Sequence, residues 1–109
     1  MIPLTYILVD REPVEEPDFQ IWGRWMETAD RHVRLSEQGD VWVSTVFLGV
    51  NHNFFSRGPP IVFETVAFVG HEGAGQERYA TWAEAEEGHA RWVQQVFKPT
   101  PILTIPDKA

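Results

Sequence analysis

The chain has 109 residues, a formal net charge of −7 and no cysteine. This length fits one domain that buries a core without cross-links. The lack of cysteine excludes disulfides, thiolate catalysis and cysteine-type zinc sites. The negative net charge opposes non-specific binding to nucleic acid and to anionic membranes, so we predict neither as a partner. No apolar run reaches the ~18 residues of a spanning helix, so we expect a soluble, intracellular protein.

The N-terminal third predicts a strand followed by an amphipathic helix. Residues 4–9 are β-branched and aromatic, which is typical of a strand, and residues 11–17 form a charged connection. Residues 18–32 are predicted to be helical because apolar side chains recur at three- and four-residue spacing. Gly23 lowers the propensity of this helix and would allow a neighbouring backbone to approach closely. The apolar stripe comprises Phe19, Trp22, Trp25, Met26, Ala29 and Val33.

Two strands in the middle of the chain are apolar on both faces. Residues 41–50 and 61–69 lack the clear alternation of a half-exposed strand, which predicts that both faces are covered. Residues 33–35 form a short strand before them, residues 70–75 a glycine-rich turn after them, and residues 76–80 a return strand. Consecutive antiparallel connections of this kind predict a meander.

The second helix has the best-defined boundary in the chain. Thr81 and Glu84 form a capping box, in which each side chain serves the backbone amide of the other residue. Pro99 ends the helix, and the proline-rich segment after it is expected to be extended. We therefore predict an α+β fold, with an antiparallel meander of four or five strands packed against two amphipathic helices. Residues 1–98 form the single domain and residues 99–109 the tail.

The covering of the two sheet faces leads to a hypothesis about partners. Each helix has one apolar stripe, so we expect both helices to share one face of the sheet. The other face would then be covered by the N-terminal strand, the tail or a second copy, because large exposed apolar patches are uncommon on monomers. A homodimer is therefore one hypothesis. The face expected to lack a helix carries Val43, Thr45, Phe47, Phe63, Thr65 and Ala67.

Glu64 is the first residue that could carry chemistry. In a regular hairpin Glu64 lies opposite Val46, on an apolar face where a carboxylate needs a hydrogen bond, an ion pair or a proton. One interpretation is a small enzyme in which Glu64 has a raised pKa and transfers protons, with His52 or His89 as its complement. The other is a structural carboxylate held by Ser44, a tryptophan N–H or an arginine.

The connection between the two central strands is the second candidate. Its roughly ten residues exceed the length of most hairpin loops, and one of its adjacent phenylalanines is expected to be buried and the other exposed or docked. Loops on a rigid sheet often bind partners, so the predicted function of this loop is protein contact. The alternatives are that polar side chains only satisfy the turn backbone, or that the histidine acts as base or ligand. The predicted binding residues are Asn51, His52, Phe54, Phe55 and Arg57.

The remaining histidines give little support for catalysis or metal binding. His89 lies on the apolar stripe of the second helix, where a satisfied core histidine is more common than a catalytic one. A metal cluster of His52, Glu64, His71 and His89 lacks the i, i+3 or i, i+4 spacing of helical ligand pairs. The chain also has no P-loop and no serine elbow. We predict no metal and no cofactor.

Three segments of the chain form a recognisable set: STVFLGVNHNFF (Ser44 to Phe55), GPPIVFETVAF (Gly58 to Phe68) and ERYATWAEAEEGH (Glu77 to His89). Together they resemble a group of small proteins encoded by tailed bacteriophages and prophages. Members of the group often carry aspartate at position 51, where this chain has Asn51. The group has no established activity, so the resemblance implies only a setting, the cytoplasm of a bacterial host, where small phage proteins commonly bind a host or phage protein. A virion or assembly component is a further alternative.

Overall fold

The structure is a computed structural model that describes residues 4–55 and 57–97. Within these ranges the chain forms six strands and two helices, and neither helix is long and apolar enough to cross a membrane. The predicted tail over residues 99–109 lies outside the described residues. The elements are β1 (Tyr6–Val9), β2 (Glu12–Glu15), α1 (Phe19–Thr28), β3 (His32–Gln38), β4 (Val41–Phe47), β5 (Phe63–Val69), β6 (Glu72–Tyr79) and α2 (Trp82–Val96).

Strands β3 to β6 form an antiparallel sheet in chain order, which we call the main sheet. The predicted α+β meander is therefore confirmed. Its last two strands meet at a tight turn in which Gly70 has a φ of 65° and donates its N–H to the Asp40 carbonyl. Positive φ at this position favours glycine. The segment predicted as a long glycine-rich turn is mostly strand, because the turn closes at residues 70 and 71.

The sequence predicted only the first strand of the N-terminal hairpin. β1 pairs with β2 through a turn in which Asp10 and Arg11 have φ values of 50° and 71°. Two consecutive positive φ values are the signature of a type I′ turn, whose twist suits a hairpin. The prediction of a connection over residues 11–17 is wrong because Pro13 and the glutamates argue against a strand in the middle of a sheet, whereas an edge tolerates them.

Helix α1 lies at one end of the main sheet. Asp18 caps it by accepting hydrogen bonds from the amides of Gln20 and Ile21, and the helix ends at Thr28, before the predicted His32. The Trp25 ring packs edge-on against Phe47 with 5.6 Å between ring centroids. Phe47 is also one of the buried residues beneath α2, so the two helices contribute to one core on the same face of the main sheet, and α1 contacts β1 as well.

Helix α2 lies across the main sheet and contacts each of its strands. Thr81 and Glu84 form the predicted capping box at its start. The small residues Ala85 and Gly88 are buried and let the helix approach the sheet closely. The face expected to lack a helix is the one that α2 covers, so that prediction is wrong. The sheet residues beneath α2 are all buried, and they are Val43, Thr45, Phe47, Phe63, Thr65 and Ala67.

The opposite side of the main sheet, which we call the open face, is only partly buried. In the described part of the chain, neither helix nor the N-terminal hairpin packs over it. Leu35 and Trp42 on this face are 49% and 38% exposed. The expectation that both faces are dry is therefore wrong for this chain by itself. The side chains of the open face are His32, Leu35, Glu37, Trp42, Ser44, Val46, Glu64, Val66, Phe68, Gln76 and Arg78.

Candidate functional site

The connection between β4 and β5 is firmly anchored at its base. We call residues 51–55 and 57–61 the aromatic loop. The hairpin continues past the two strands, since Leu48 N–H donates to the Val62 carbonyl at 2.7 Å and His52 N–H to the Ile61 carbonyl at 2.8 Å. On the other side Asn51 N–H donates to the Leu4 carbonyl at 2.8 Å. The segment before β1 and the pairing of His52 with Ile61 across the base of the loop therefore hold the loop in place.

Buried Asn51 organises the start of the loop. Its Oδ1 accepts hydrogen bonds from the amides of Asn53 at 2.8 Å and Ile61 at 2.9 Å. The side chain thus satisfies two backbone groups that would otherwise lack a partner inside the protein. Asn51 was predicted to belong to the binding surface, but its burial gives it a structural role. The aspartate common at this position in the phage group would supply the same acceptor oxygen.

We expect Asn51→Ala to lower the free energy of unfolding by about 2–4 kcal/mol, because two partly buried amides lose their acceptor. Asn51→Asp keeps an oxygen at the same place and is the matched control, expected to lose less than Asn51→Ala. Urea denaturation of both variants measures the difference. Equal losses for the two would show that the acceptor oxygen is not what stabilises the loop.

Asn53 connects the two sides of the aromatic loop, and the sequence reasoning did not single it out. Its Nδ2 donates to the carbonyls of Arg57 at 2.8 Å and Pro59 at 2.9 Å, while its Oδ1 accepts from the Phe55 amide at 3.1 Å. Gly58, with a φ of 88°, closes the turn. The spacing of two asparagines with one residue between them was the available signal, since asparagine often bonds to backbone two residues on.

Both phenylalanines of the aromatic loop point into solvent. Phe54 is 78% exposed and Phe55 79% exposed. The expectation that one ring is buried is wrong, and the loop is held together by asparagine side chains bonded to its backbone and not by a buried ring. Arg57 is also exposed. His52 is half-buried, with its Nδ1 2.9 Å from the Val50 carbonyl and its ring 6.1 Å from that of Phe54.

A groove of about 430 Å³ runs beside the aromatic loop. Asn53, Pro59 and Ile61 line one wall, and residues of β6 and α2 line the other. Glu84 and Glu87 lie on the α2 wall, and no arginine or lysine among the described residues is within salt-bridge distance of them, whereas Glu77 on β6 pairs with Arg91. The groove is therefore shallow, mixed in polarity and slightly acidic, which suits a polypeptide better than a small apolar ligand.

Glu77 collects three hydrogen bonds at the end of this groove. Its Oε1 accepts from Tyr79 Oη at 2.9 Å, Trp92 Nε1 at 3.1 Å and Arg91 Nη1 at 3.2 Å. Burial by itself would raise the pKa of Glu77, but these donors and the Arg91 charge outweigh it and lower the pKa. Burial, together with donation to Glu77, raises the pKa of Tyr79 to about 12. Glu77 is thus a carboxylate and Tyr79 a neutral phenol at neutral pH.

A chain of hydrogen bonds runs from this point through the space between α2 and the main sheet. Tyr79 Oη lies 3.0 Å from Thr65 Oγ1, and Thr65 bonds to the hydroxyl of Thr45. Thr45 Oγ1 lies 2.7 Å from His89 Nδ1. On the far side of the imidazole, Nε2 lies 2.8 Å from the hydroxyl of Ser36. These contacts satisfy the hydroxyl and imidazole groups that lie in this space.

Proton counting assigns the tautomer of His89. A phenol has one proton, and the Glu77 carboxylate is the strongest acceptor near Tyr79. The hydroxyl of Thr65 therefore donates to Tyr79, that of Thr45 donates to Thr65, and the imidazole donates its Nδ1 proton to Thr45. His89 is only 1% exposed, and burial, with the charge of Arg34, lowers its pKa. His89 is thus a satisfied core residue, as its place on the apolar stripe predicted.

The candidate catalytic residues do not come together. Glu64 pairs with Val46 in the predicted register and forms an ion pair with Arg78 at 2.9 Å on the open face. His89 lies on the other side of the sheet, under α2, so the two cannot act on one substrate. His52 lies in the aromatic loop, where its Nδ1 is in contact with the Val50 carbonyl. Glu64 has the structural role that its second interpretation predicted, with an arginine as partner.

A metal centre in this chain would need at least three His, Asp or Glu side chains close together. Among residues 4–55 and 57–97, no three His, Asp or Glu side chains lie close enough together to hold a metal ion. Comparison with known family models, with curated proteins and with solved structures finds no match. The aromatic loop and the groove beside it are therefore the basis for a functional assignment.

Proposed function

We propose that this protein acts by binding another protein through the aromatic loop, without catalysis. In this proposal it is a small phage accessory protein that works in the cytoplasm of a bacterial host. The observation that carries the proposal is the exposure of both Phe54 and Phe55 at the tip of an internally hydrogen-bonded loop. The three segments that resemble phage proteins support the setting.

The loop combines apolar surface with a fixed backbone. Moving a phenylalanine ring from water into a protein contact is worth about 1.5–3 kcal/mol. A loop that is already ordered loses little further conformational freedom on binding. The hydrogen bonds of Asn51 and Asn53 supply that order. Two neighbouring rings held in this way favour recognition of a partner over a role in the stability of the fold.

Arg57 extends this surface with a positive charge in a chain of net charge −7. Aromatic and arginine side chains supply much of the binding energy at protein interfaces. A guanidinium also binds carboxylates in a planar, directional manner. The surface therefore suits a partner with an apolar pocket next to an acidic or carbonyl-rich rim.

Affinity capture with tagged protein from a bacterial host lysate tests this proposal. Phe55→Ala and Arg57→Ala are each expected to weaken binding by ~1–4 kcal/mol, or about 5- to 700-fold, with an unchanged melting temperature. Phe19→Ala is the matched control, because Phe19 is also an exposed phenylalanine, at 64%, but lies on α1. Capture of the same proteins in the same amounts by all three variants would refute the role of the loop.

A further inference from the structure

Strand β6 is an edge of the main sheet. In the described part of the chain it pairs with β5 and has no strand on its other side. Successive residues of a strand turn their backbone groups alternately to its two sides. The Tyr79 carbonyl accepts a hydrogen bond from the Val62 amide on the β5 side. The N–H and C=O groups of Arg78 and Gln76 therefore point away from β5, where a further strand could pair with them.

The groove beside the aromatic loop follows this edge. Glu77, Arg78, Tyr79 and Ala80 all line it, although the side chains of successive strand residues point to opposite faces of a sheet. A groove lined by four consecutive residues therefore runs along the edge of the strand and not over one face. The pairing of β6 with β5 is regular here, because its one register shift comes after Gly75 is paired with Ala67.

We propose that an extended segment of the protein partner, with lysine or arginine at every second position, pairs with the outer edge of β6 and fills this groove. The inference rests on the proposed function, because the segment would belong to the partner that binds the aromatic loop. Strand addition to a sheet edge is a recurrent mode of peptide recognition, in which backbone hydrogen bonds give affinity and alternate side chains give specificity.

The groove and the aromatic loop form one continuous surface. Asn53 and Pro59 belong to both, and Asn53 Nδ2 donates to the Pro59 carbonyl at 2.9 Å, which fixes this shared wall. The exposed rings of Phe54 and Phe55 follow Asn53 directly in the chain. A partner that contacts these rings therefore also lies next to the end of β6.

The charge of the groove favours a basic segment. Its two arginines already have glutamate partners, at 2.9 Å and 3.2 Å. Glu84 and Glu87 on the α2 wall have no arginine or lysine of the described chain within salt-bridge distance. Every second side chain of an added strand would point to the α2 side, where a cation would compensate these two carboxylates. A second copy of this chain, itself with a net charge of −7, fits less well.

NMR titration of the full chain with two blocked synthetic peptides tests the inference. One probe alternates lysine with valine over 8 residues, the length of β6, and the other alternates glutamate with valine. We expect the lysine peptide to shift the amide resonances of Gln76 and Arg78, and the glutamate peptide to bind at least ~10-fold more weakly. Phe55→Ala should bind the lysine peptide like the wild type, so a failure of the aromatic loop shows only in the capture experiment.

Arg78→Pro and Arg78→Ala are the matched pair that tests the backbone contact. Both lose the ion pair to Glu64, but only proline also removes the outward N–H, and an edge strand tolerates proline at such a position. We expect Arg78→Pro to bind the lysine peptide about 10-fold more weakly than Arg78→Ala. Circular dichroism shows whether both variants are folded. Glu87→Lys, at an exposed helix position, should weaken binding of the lysine peptide without a change at the strand.

The proposal is overturned if neither peptide moves the Gln76 and Arg78 resonances at about 1 mM, or if both peptides bind equally well. A folded Arg78→Pro variant that binds as well as Arg78→Ala overturns it too. Should Arg78→Pro fail to fold, Glu87→Lys decides, and undiminished binding of the lysine peptide would contradict the proposal. If the peptide binds only after deletion of residues 98–109, the tail occupies the edge and a partner segment does not.

Discussion

Replacement of Gly88 by alanine is expected to lower the free energy of unfolding by about 2–4 kcal/mol, although alanine is the better helix former. A Cβ at position 88 would overlap the ring of Tyr79. That ring cannot move aside without loss of its hydrogen bonds to Glu77 and Thr65. The helix would instead have to lift from the sheet, which would open the buried chain around His89.

Gly23→Ala is the matched control for this prediction. Gly23 is also a helical glycine, but no atom outside its own surroundings lies within 4 Å of the Cβ that alanine would add. The expectation that Gly23 allows a close backbone approach is therefore wrong, and Gly23→Ala should stabilise the protein by up to ~1 kcal/mol. Urea denaturation measures both variants. A Gly88→Ala protein as stable as the wild type would contradict the packing of α2 against Tyr79.

The second large effect is a loss of stability in mild acid. The pKa of His89 is lower in the folded protein than in the unfolded chain, because folding buries the imidazole. The unfolded chain therefore binds more protons below its histidine pKa of ~6.5. The contribution of neutral His89 is fully present above this pH and is lost as the pH falls toward the lower folded pKa. We expect a slope of up to ~1.4 kcal/mol per pH unit between pH 7 and 5.

His89→Asn tests this assignment, because asparagine can still donate to Thr45 but does not titrate. The variant should be less stable than the wild type at pH 7 and should lose less between pH 7 and 5. His71→Asn, at an exposed position in the β5–β6 turn, is the control and should keep the wild-type slope. Denaturation midpoints at several pH values supply the data. An unchanged slope in His89→Asn would assign the pH dependence to another group.

Glu77 contributes to the pH dependence of stability in a separate, more acidic pH range. Its pKa is lowered in the fold, so its stabilising effect is present above its ordinary pKa of 4.5 and is lost as the pH falls below that value. The two groups can thus be distinguished by the pH at which stability declines. Both belong to the same hydrogen-bond chain, and they couple α2 to β6 and β4.

Local signals in the sequence predicted much of the fold. The capping box located the start of α2, and the hairpin register placed Glu64 opposite Val46. The face of the main sheet that α2 covers could not be predicted from apolar content, because both faces of β4 and β5 are apolar. Polar contacts accompany the observed choice: Thr45 and Thr65 face each other on the side that α2 covers, and Thr45 bonds to the buried His89.

The aromatic loop was located from the sequence, but its internal structure was not. Its length and its two phenylalanines indicated a contact surface. The loop is held together by the bonds that Asn53 makes to Arg57 and Pro59, which are contacts between residues several positions apart. Contacts of this kind leave no periodic pattern in the sequence. The role of Asn51 as a buried acceptor could not be predicted either, because the sequence does not distinguish a buried asparagine from an exposed one that binds a partner.

The dissociation constant of the captured partner, measured by titration calorimetry for wild type and for the Phe54→Ala, Phe55→Ala double variant, tests the proposed function most directly. If the two rings contribute to binding and not to folding, the double variant should bind at least ~100-fold more weakly than the wild type. Its melting temperature should equal that of the wild type. An unchanged dissociation constant, or a melting temperature that falls together with the affinity, would contradict the proposal that this loop is a preformed binding surface.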